Sequence, residues 1–487
     1  MEVAADRGRE ELRRLVGEDV EVPLVTGGVR RYVNLDFAAS APTLSTVADG
    51  VAELLPWYSS VHRGAGFKSR VSTELYERAR EAVRSFVGAS ADDAVVFTRN
   101  TTDSINLLAS ALPDGAEVIA FAVEHHANLL PWRHGARGGT VRYLPVPADP
   151  ASLLEHLEEA LCEARGGSRM GPILVAATGA SNVTGEIWPI AAIARLAHGH
   201  GASLLVDAAQ LAPHVPIDMA RDGVDFLALS GHKLYAPYGA GALVGRPDWL
   251  AAAEPFLLGG GAVKFVTLDD VLWAGLPDRQ EAGSPNVVGA YALGLACETL
   301  AAIGMDLLAG EELAFHARAR LRLAAVPGLE LYRTWGFDLP HIGLVTFNLT
   351  GRNHAELAAI LSAEFGIGVR HGCFCAHPLL LHLLRIDERA AGGIRDEIRR
   401  GGHPSMPGAV RMSFGLATTE ADIDLAADAL TEIAVHGPRW TYRRGDHGDD
   451  WDPDPDPRPW PSFMLRGPGS HREGSAALRS GLAGESS

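Results

Sequence analysis

The sequence predicts an α/β fold, with a large domain built on a mainly parallel sheet covered by helices, followed by a smaller α/β domain. Short apolar runs alternate with longer helix-like stretches from about residue 31 to residue 300. Most of those runs stop at polar or small residues, and a second, shorter set of strand-like runs follows over 301–440. Ligands of such sheets bind at the carboxyl ends of the strands, so the residue that ends each run matters most.

In chain order, residues 1–30 read as a helix and a turn, and "YVNLDFAAS" as a strand entering a loop. The runs "AVVFTRN", "EVIAFAVEHH", "PILVAATGASN", "SLLVDAAQ", "VDFLALSGHK" and "AGALVG" then supply the strands of the large domain, 31–300. The small domain, 301–440, opens on a helical stretch and offers "HIGLVTFNL", "GIGVRHGCFCAHP" and "AVRMSFG", then a helix from about Glu420. Beyond Trp440 the composition changes to "RRGDHGDDWDPDPDPRPWPS" and a Gly/Ser-rich end. This acidic tail, 441–487, is expected to be disordered, with Trp451 and Trp460 touching the body.

With 487 residues, 47% of them hydrophobic, the chain can bury large cores. Its formal charge of -17 favours solubility and argues against nucleic acid or an anionic membrane surface as a partner. The charged N-terminus lacks the apolar stretch of an export signal, and no apolar run reaches the length of a membrane span. The four cysteines are Cys162, Cys297, Cys373 and Cys375, the last two too close for an ordinary structural bridge, which suits a reducing, cytoplasmic setting.

The chemistry centres on "SGHK". A lysine delivered by a buried strand to the edge of a core is costly unless it has a task there. Asp207 and Gln210 in "VDAAQ" end the preceding strand, so they can stand beside Lys233. A lysine to condense with an aldehyde, together with an acid to keep a ring nitrogen protonated, fits pyridoxal 5'-phosphate. Alone, each would read as a surface lysine or a capping aspartate. "TRNTTDSINLLA" places Thr101 and Thr102 at a helix start, where free N–H groups suit the phosphate, and Ser230 and His232 can add donors. One site should therefore collect Thr101, His125, Asn182, Asp207 and Lys233. "GAGALVG" has the wrong spacing and position for a dinucleotide fingerprint.

The segments "VHRGAGFKSRVSTELYERAR", "FTRNTTDSINLLA", "EHHANLLPW", "SNVTGE", "VDAAQ", "SGHKLYAPYGAGALVG", "EAGSPN" and "GIGVRHGCFCAHPLL" resemble, in order over about 30–435, the class V aminotransferase group of fold-type-I pyridoxal phosphate enzymes. Within that group the likeness is to Suf-type cysteine desulfurases and selenocysteine lyases. The resemblance implies that His125 stacks on the cofactor ring, that Asn182 lies near cofactor oxygen and substrate, and that Gln210 meets the phenolic oxygen. Thr102, Ser230 and His232 would hold the phosphate, and Ser284 in "EAGSPN" would reach the partner subunit's phosphate in a homodimer. Arg370, Arg411 and His62 would face the substrate, a guanidinium gripping the α-carboxylate through paired hydrogen bonds.

By the same resemblance Cys375 is the sulfur-accepting nucleophile, the substrate is L-cysteine, the product L-alanine, and a sulfur-acceptor protein is a possible partner. Other readings of "HGCFCAH" stay open. One cysteine could be a small core residue, and the pair could relay a persulfide or act as a redox couple. His371, Cys373, Cys375 and His377 form a conceivable metal set, but their spacing is tighter than usual zinc ligand pairs, so no metal is expected. "GCFC" also resembles the desulfurase-like domain of molybdenum cofactor sulfurases. An aminotransferase, epimerase or lyase for another amino acid, or a noncatalytic scaffold, are the rival functions. The insertion "LHLLRIDERAAGGIRDEIRRGGHPSMPG" is expected to form a helix and a loop over the active-site entrance.

Overall fold

A computed structural model describes residues 8–62, 64–134, 139–166, 171–336, 338–445 and 450–465. Its centre is a seven-stranded sheet of β1 (Ala94–Thr98), β2 (Glu117–Phe121), β3 (Thr140–Leu144), β4 (Ile173–Thr178), β5 (Ser203–Asp207), β6 (Phe226–Ser230) and β7 (Gly241–Gly245), in the order β1-β7-β6-β5-β4-β2-β3. Only β7 runs against the rest, pairing antiparallel with both β1 and β6. The strands are buried on both faces and read as unbroken apolar runs, as parallel strands under helices do. The edge strand β3, "TVRYL", is only partly buried and lacks that signal, so sequence reading passes over it.

Helix α1 (Phe67–Phe86) and helix α2 (Thr101–Ala111) flank this sheet. Asn100 caps α2 by accepting from the Asp103 N–H at 3.0 Å, which fixes where the helix starts. Gly241 makes that start possible: a Cβ there would lie 2.7 Å from the Asn100 Cα and 2.6 Å from the Leu229 carbonyl oxygen. A hairpin of β8 (Val263–Val266) and β9 (Val271–Trp273) projects from the body with Phe265, Leu268 and Leu272 exposed.

Helices α3 (Val287–Ile303) and α4 (Met305–Ala324) lead into a four-stranded sheet of β10 (Leu329–Tyr332), β11 (Leu344–Leu349), β12 (Arg370–Gly372) and β13 (Ala409–Ser413), ordered β10-β11-β13-β12. Helix α5 (His354–Phe365) packs on it, α6 (His377–Leu383) and α7 (Glu388–Arg399) sit between β12 and β13, and α8 (Glu420–His436) closes the domain with a Thr419–Asp422 capping box. No single helix among the described residues is long and apolar enough to cross a membrane.

Both ends of the chain depart from expectation. The N-terminal segment is not a helix and a turn alone: residues 8–12 are helical, but Glu21–Pro23 and Val29–Arg31 form an antiparallel hairpin closed through Gly27 and Gly28, both at positive φ. The next strand, Val33–Asn34, pairs with Ile367–Gly368, and Val33 and Leu35 join the core of the C-terminal sheet. The tail is not wholly disordered either. Strands β14 (Tyr442–Arg444) and β15 (Trp451–Pro453) pair, anchored by Glu364 of α5, which accepts from the N–H groups of Arg439 and Trp440 and from the Tyr442 hydroxyl. Trp451 is half-buried there, whereas Trp460 is exposed. The tail from 466 onward lies outside the described residues.

Candidate active site

The carboxyl ends of β1, β4, β5 and β6 open on one cavity of about 240 Å³. It is lined by Thr101, Thr102, His125, Asn182, Asp207, Gln210, Ser230, His232, Lys233, Arg370, Cys375 and Arg411, nearly all of the residues singled out from sequence. His62 and Ser284 are not among them. They line a second cavity of about 450 Å³ with Tyr58, Gly260, Gly261 and Glu281.

At one end of the main cavity the Thr101 N–H donates to Ser230 Oγ at 2.8 Å, and the two hydroxyls are also 2.8 Å apart. With the first turn of α2 and Thr102 beside them, this is a donor-rich cradle suited to a phosphate. Asp207, buried at the end of β5, accepts from the Ala209 N–H at 3.0 Å. Burial raises its pKa, opposed by that hydrogen bond and by Lys233.

Lys233 is half-buried in a turn that follows β6. Burial lowers its amine to about 8, with Arg411 acting in the same sense and Asp207 and Cys375 opposing. His125 Nδ1 accepts from the Ala127 N–H at 3.1 Å, which leaves the ring proton on Nε2. Burial, then the charges of Lys233, His126 and Arg411, push this imidazole down to about 3, so it is neutral. Gln210 donates to the Ala38 carbonyl at 2.7 Å, while its Oε1 is buried with no hydrogen-bond partner among the described residues. An orphaned buried acceptor at a cavity wall is what a bound ligand with a hydroxyl would satisfy. Phosphate cradle, buried carboxyl, depressed lysine and orphaned amide oxygen together fit pyridoxal phosphate.

The opposite wall is cationic. Arg411 is buried on β13; it donates to the Asn182 carbonyl at 2.6 Å and pairs with Asp36 at 3.4 Å, and burial lowers its pKa against the pull of Asp36. Arg370 on β12 lies exposed opposite it in the ladder. Asn182 Nδ2 donates to the Phe374 carbonyl at 2.8 Å, tying the cysteine loop to the end of β4. Cys375 is exposed and faces the cavity, whereas Cys373 packs against the main core and does not line it. The two cysteines of "GCFC" thus occupy different environments. Among the described residues no group of three or more His, Cys, Asp or Glu side chains is close enough to hold a metal ion.

Sequence reading missed two carboxyls. Asp36, just after "YVNL" and bridged to Ser413 of β13, pairs with Arg411 at 3.4 Å, and its signal was an acidic residue ending an apolar run. Glu124 is fully buried and accepts from Asn128 Nδ2 at 2.7 Å and the Thr178 N–H at 2.9 Å, bracing the segment before His125. Burial raises its carboxyl well above the ordinary range, and the nearby Asp207 adds to this. The insertion after Cys375 does form helices, but no residue of α7 lines the main cavity. With His377 and Leu381 it lines a separate groove.

The aminotransferase class-V model matches residues 33–425. The chain belongs to the class V aminotransferase family. A probable cysteine desulfurase of Halalkalibacterium halodurans is 36% identical over 406 residues, spanning 82% of this chain and 92% of that protein. A cysteine desulfurase of Dickeya dadantii is 38% identical over 408 residues, 82% of this chain and 91% of that protein. Among solved structures, the apo cysteine desulfurase from Thermococcus onnurineus NA1 aligns with a TM-score of 0.73 at 29% identity, covering 86% of this chain and 98% of the other. The family membership accounts for the fold.

Proposed function

We propose that the protein is a pyridoxal-phosphate-dependent cysteine desulfurase that converts L-cysteine to L-alanine and leaves the sulfur as a persulfide on Cys375. The observation that carries this reading is the exposed Cys375 opening on the same cavity as Lys233, Asp207, Arg370 and Arg411. Desulfurase relatives at 36% and 38% identity support it.

When bound, the cofactor supplies an electron sink for the substrate's α-carbon. Asp207 would hold the proton of the ring nitrogen, and Lys233, its amine lowered to about 8, would hold the cofactor and then move the substrate's α-proton. Arg411 and Arg370 grip the α-carboxylate, which fixes the substrate's sulfur toward the loop. The Cys375 thiolate attacks that sulfur: an S–S bond forms, the C–S bond breaks, and its electron pair stays with carbon, which takes a proton to become the methyl group of alanine. A thiol acceptor can then remove the outer sulfur from Cys375.

The decisive experiment incubates purified protein with pyridoxal phosphate, L-cysteine and a reductant, and quantifies alanine and sulfide for wild type and Cys375→Ala. Equimolar alanine and sulfide, abolished in the variant, support the reading. Cofactor binding without sulfur release, or release that ignores Cys375, would replace it with chemistry on another amino acid.

A further inference from the structure

The loop that presents Cys375 holds a backbone that its residues do not favour. The Cys373 carbonyl accepts from the Ala376 N–H at 2.9 Å, and the two residues between, Phe374 and Cys375, have φ of 52° and 54°. Consecutive left-handed positions in such a turn suit glycine or asparagine, so side chains here persist only when the surroundings impose them. The imposition is visible. Asn182 holds the Phe374 carbonyl, and the Arg411 guanidinium lies 5.2 Å from the Phe374 ring centroid.

The remaining restraint comes from one residue. The backbone N–H of His126 donates to the Cys375 carbonyl at 2.7 Å. Its ring Nε2 accepts from the backbone N–H of His377, the first residue of α6, at 3.3 Å, and lies 3.2 Å from His377 Nδ1. The two imidazoles stack with centroids 5.0 Å apart and planes 9° apart. Two bonds from His126 therefore bracket the stretch Cys375–Ala376–His377. An Nε2 that accepts is unprotonated, which puts the ring hydrogen on Nδ1 and makes the neutral form the one that holds. Burial lowers both imidazoles, and His377 lowers His126 further, so the neutral form prevails.

We infer that His126, with His377 stacked on it, is a positioning residue for the Cys375 thiol, so that the histidine doublet serves the cofactor face with its first member and the sulfur-accepting loop with its second. The inference rests on the desulfurase reading for its functional consequence. Its structural content, a ring that restrains the cysteine loop, stands apart from it.

The test uses the full-length protein and three variants. His126→Leu removes the ring acceptor and keeps the backbone bond; His126→Gln offers an oxygen that can accept from the same N–H; His377→Ala removes the stacked ring. Two quantities are read: kcat and KM for alanine formation from L-cysteine, and the rate at which iodoacetamide alkylates Cys375, followed by peptide mass spectrometry with and without cofactor. In His126→Leu, kcat should fall about tenfold with KM changed by less than about twofold, since the lost restraint acts on the attacking thiol rather than on substrate binding. Alkylation of Cys375 should quicken about threefold or more as the loop loosens. His126→Gln should return both quantities most of the way to wild type, which a nonspecific packing defect would not allow.

Wild-type kcat and alkylation rate in His126→Leu, or equal impairment in the Gln and Leu variants, would overturn the inference. Should His126→Leu fail to fold, His377→Ala decides by the same two readouts, and unchanged values there overturn it. A wild-type protein that yields no alanine from L-cysteine would instead defeat the desulfurase reading, and the alkylation contrast would still decide whether the ring restrains the loop.

Discussion

Lys233 should combine with pyridoxal phosphate along a pH curve whose midpoint lies near 8, not near the ordinary lysine value of 10.5. Only the neutral amine attacks an aldehyde. At pH 7.5 a lysine of pKa about 8 is neutral in about a quarter of molecules and an ordinary one in about 0.1%, a gain of roughly two hundredfold in reactive amine. The assay mixes cofactor-free protein with pyridoxal phosphate and follows the visible absorbance across pH 6–10 (about four decades of proton activity). Asp207→Asn removes a charge that favours the ammonium form, so its midpoint should move to lower pH. A second consequence concerns stability. Below pH 8 the lysine is protonated both folded and unfolded, and the folded state carries the cost of burying the charge. Above 10.5 it is neutral in both states and the cost is gone, so stability rises with pH between these limits. The gap between the two values corresponds to about 3 kcal/mol, reduced to about 1–3 by solvent in the cavity. Lys233→Met should therefore raise the Tm of the cofactor-free protein at pH 7, with the advantage shrinking toward pH 10 (about the unfolded value). A reconstitution midpoint near 10, or a destabilised methionine variant at pH 7, would refute the reasoning.

Glu281 accepts from Arg80, the Tyr76 hydroxyl and the Phe97 N–H, with Arg80 and Glu281 both buried. Glu281→Ala should destabilise the protein by about 1–3 kcal/mol, read as a fall in Tm, because it takes one of two carboxylates from a buried guanidinium that keeps Glu77 at 3.0 Å, and leaves the Tyr76 hydroxyl and the Phe97 N–H without their acceptor. Arg411→Lys should raise KM for L-cysteine about tenfold, since an ammonium cannot grip a carboxylate in two places; an unchanged KM would assign the carboxylate to Arg370 alone. Iodoacetamide should label the exposed Cys375 and Cys162 in native protein and spare Cys297, whose burial pushes its thiol up; early labelling of Cys297 in peptide mass spectra would contradict its place in the core.

The parts of the fold that could be read from sequence are those with strong local signals. Strands β4, β5 and β6 are buried along their whole length, so their apolar runs are unbroken and end abruptly at Thr178, Asp207 and Ser230. That abruptness is why residues 26 positions apart, Asp207 and Lys233, read as neighbours at adjacent strand ends from the sequence alone. Where burial is partial the signal fades, as in β3 and in the exposed hairpin β8–β9. The tail hairpin was illegible because its stability lies in Glu364, about eighty residues earlier, rather than in its own composition. Asp36 and Glu124 escaped for a related reason: each acts through a partner distant in the chain, Arg411 and Thr178, and the one local signal, an acidic residue ending the run before Asp36, does not name that partner.

His62 and Ser284 pose a question of a different kind, because one chain puts them in a cavity separate from Lys233. If a homodimer brings the second cavity of one subunit to the first cavity of the other, both residues would serve the partner's site. Subunit mixing distinguishes this from action within one chain. Take Lys233→Ala and His62→Ala, each expected to be inactive or much impaired alone, and let their subunits exchange in equal amounts. Service across the interface makes one complete site in each mixed dimer, so activity should recover to about a quarter of wild type, half the dimers carrying one working site of two. Service within a chain gives no complete site in any dimer and no recovery. The same mixing with Ser284→Ala in place of His62→Ala, read as affinity for pyridoxal phosphate, asks the question of the phosphate end. Recovery in both experiments would mean that a single chain carries halves of two different sites, so that dissociating the dimer abolishes turnover.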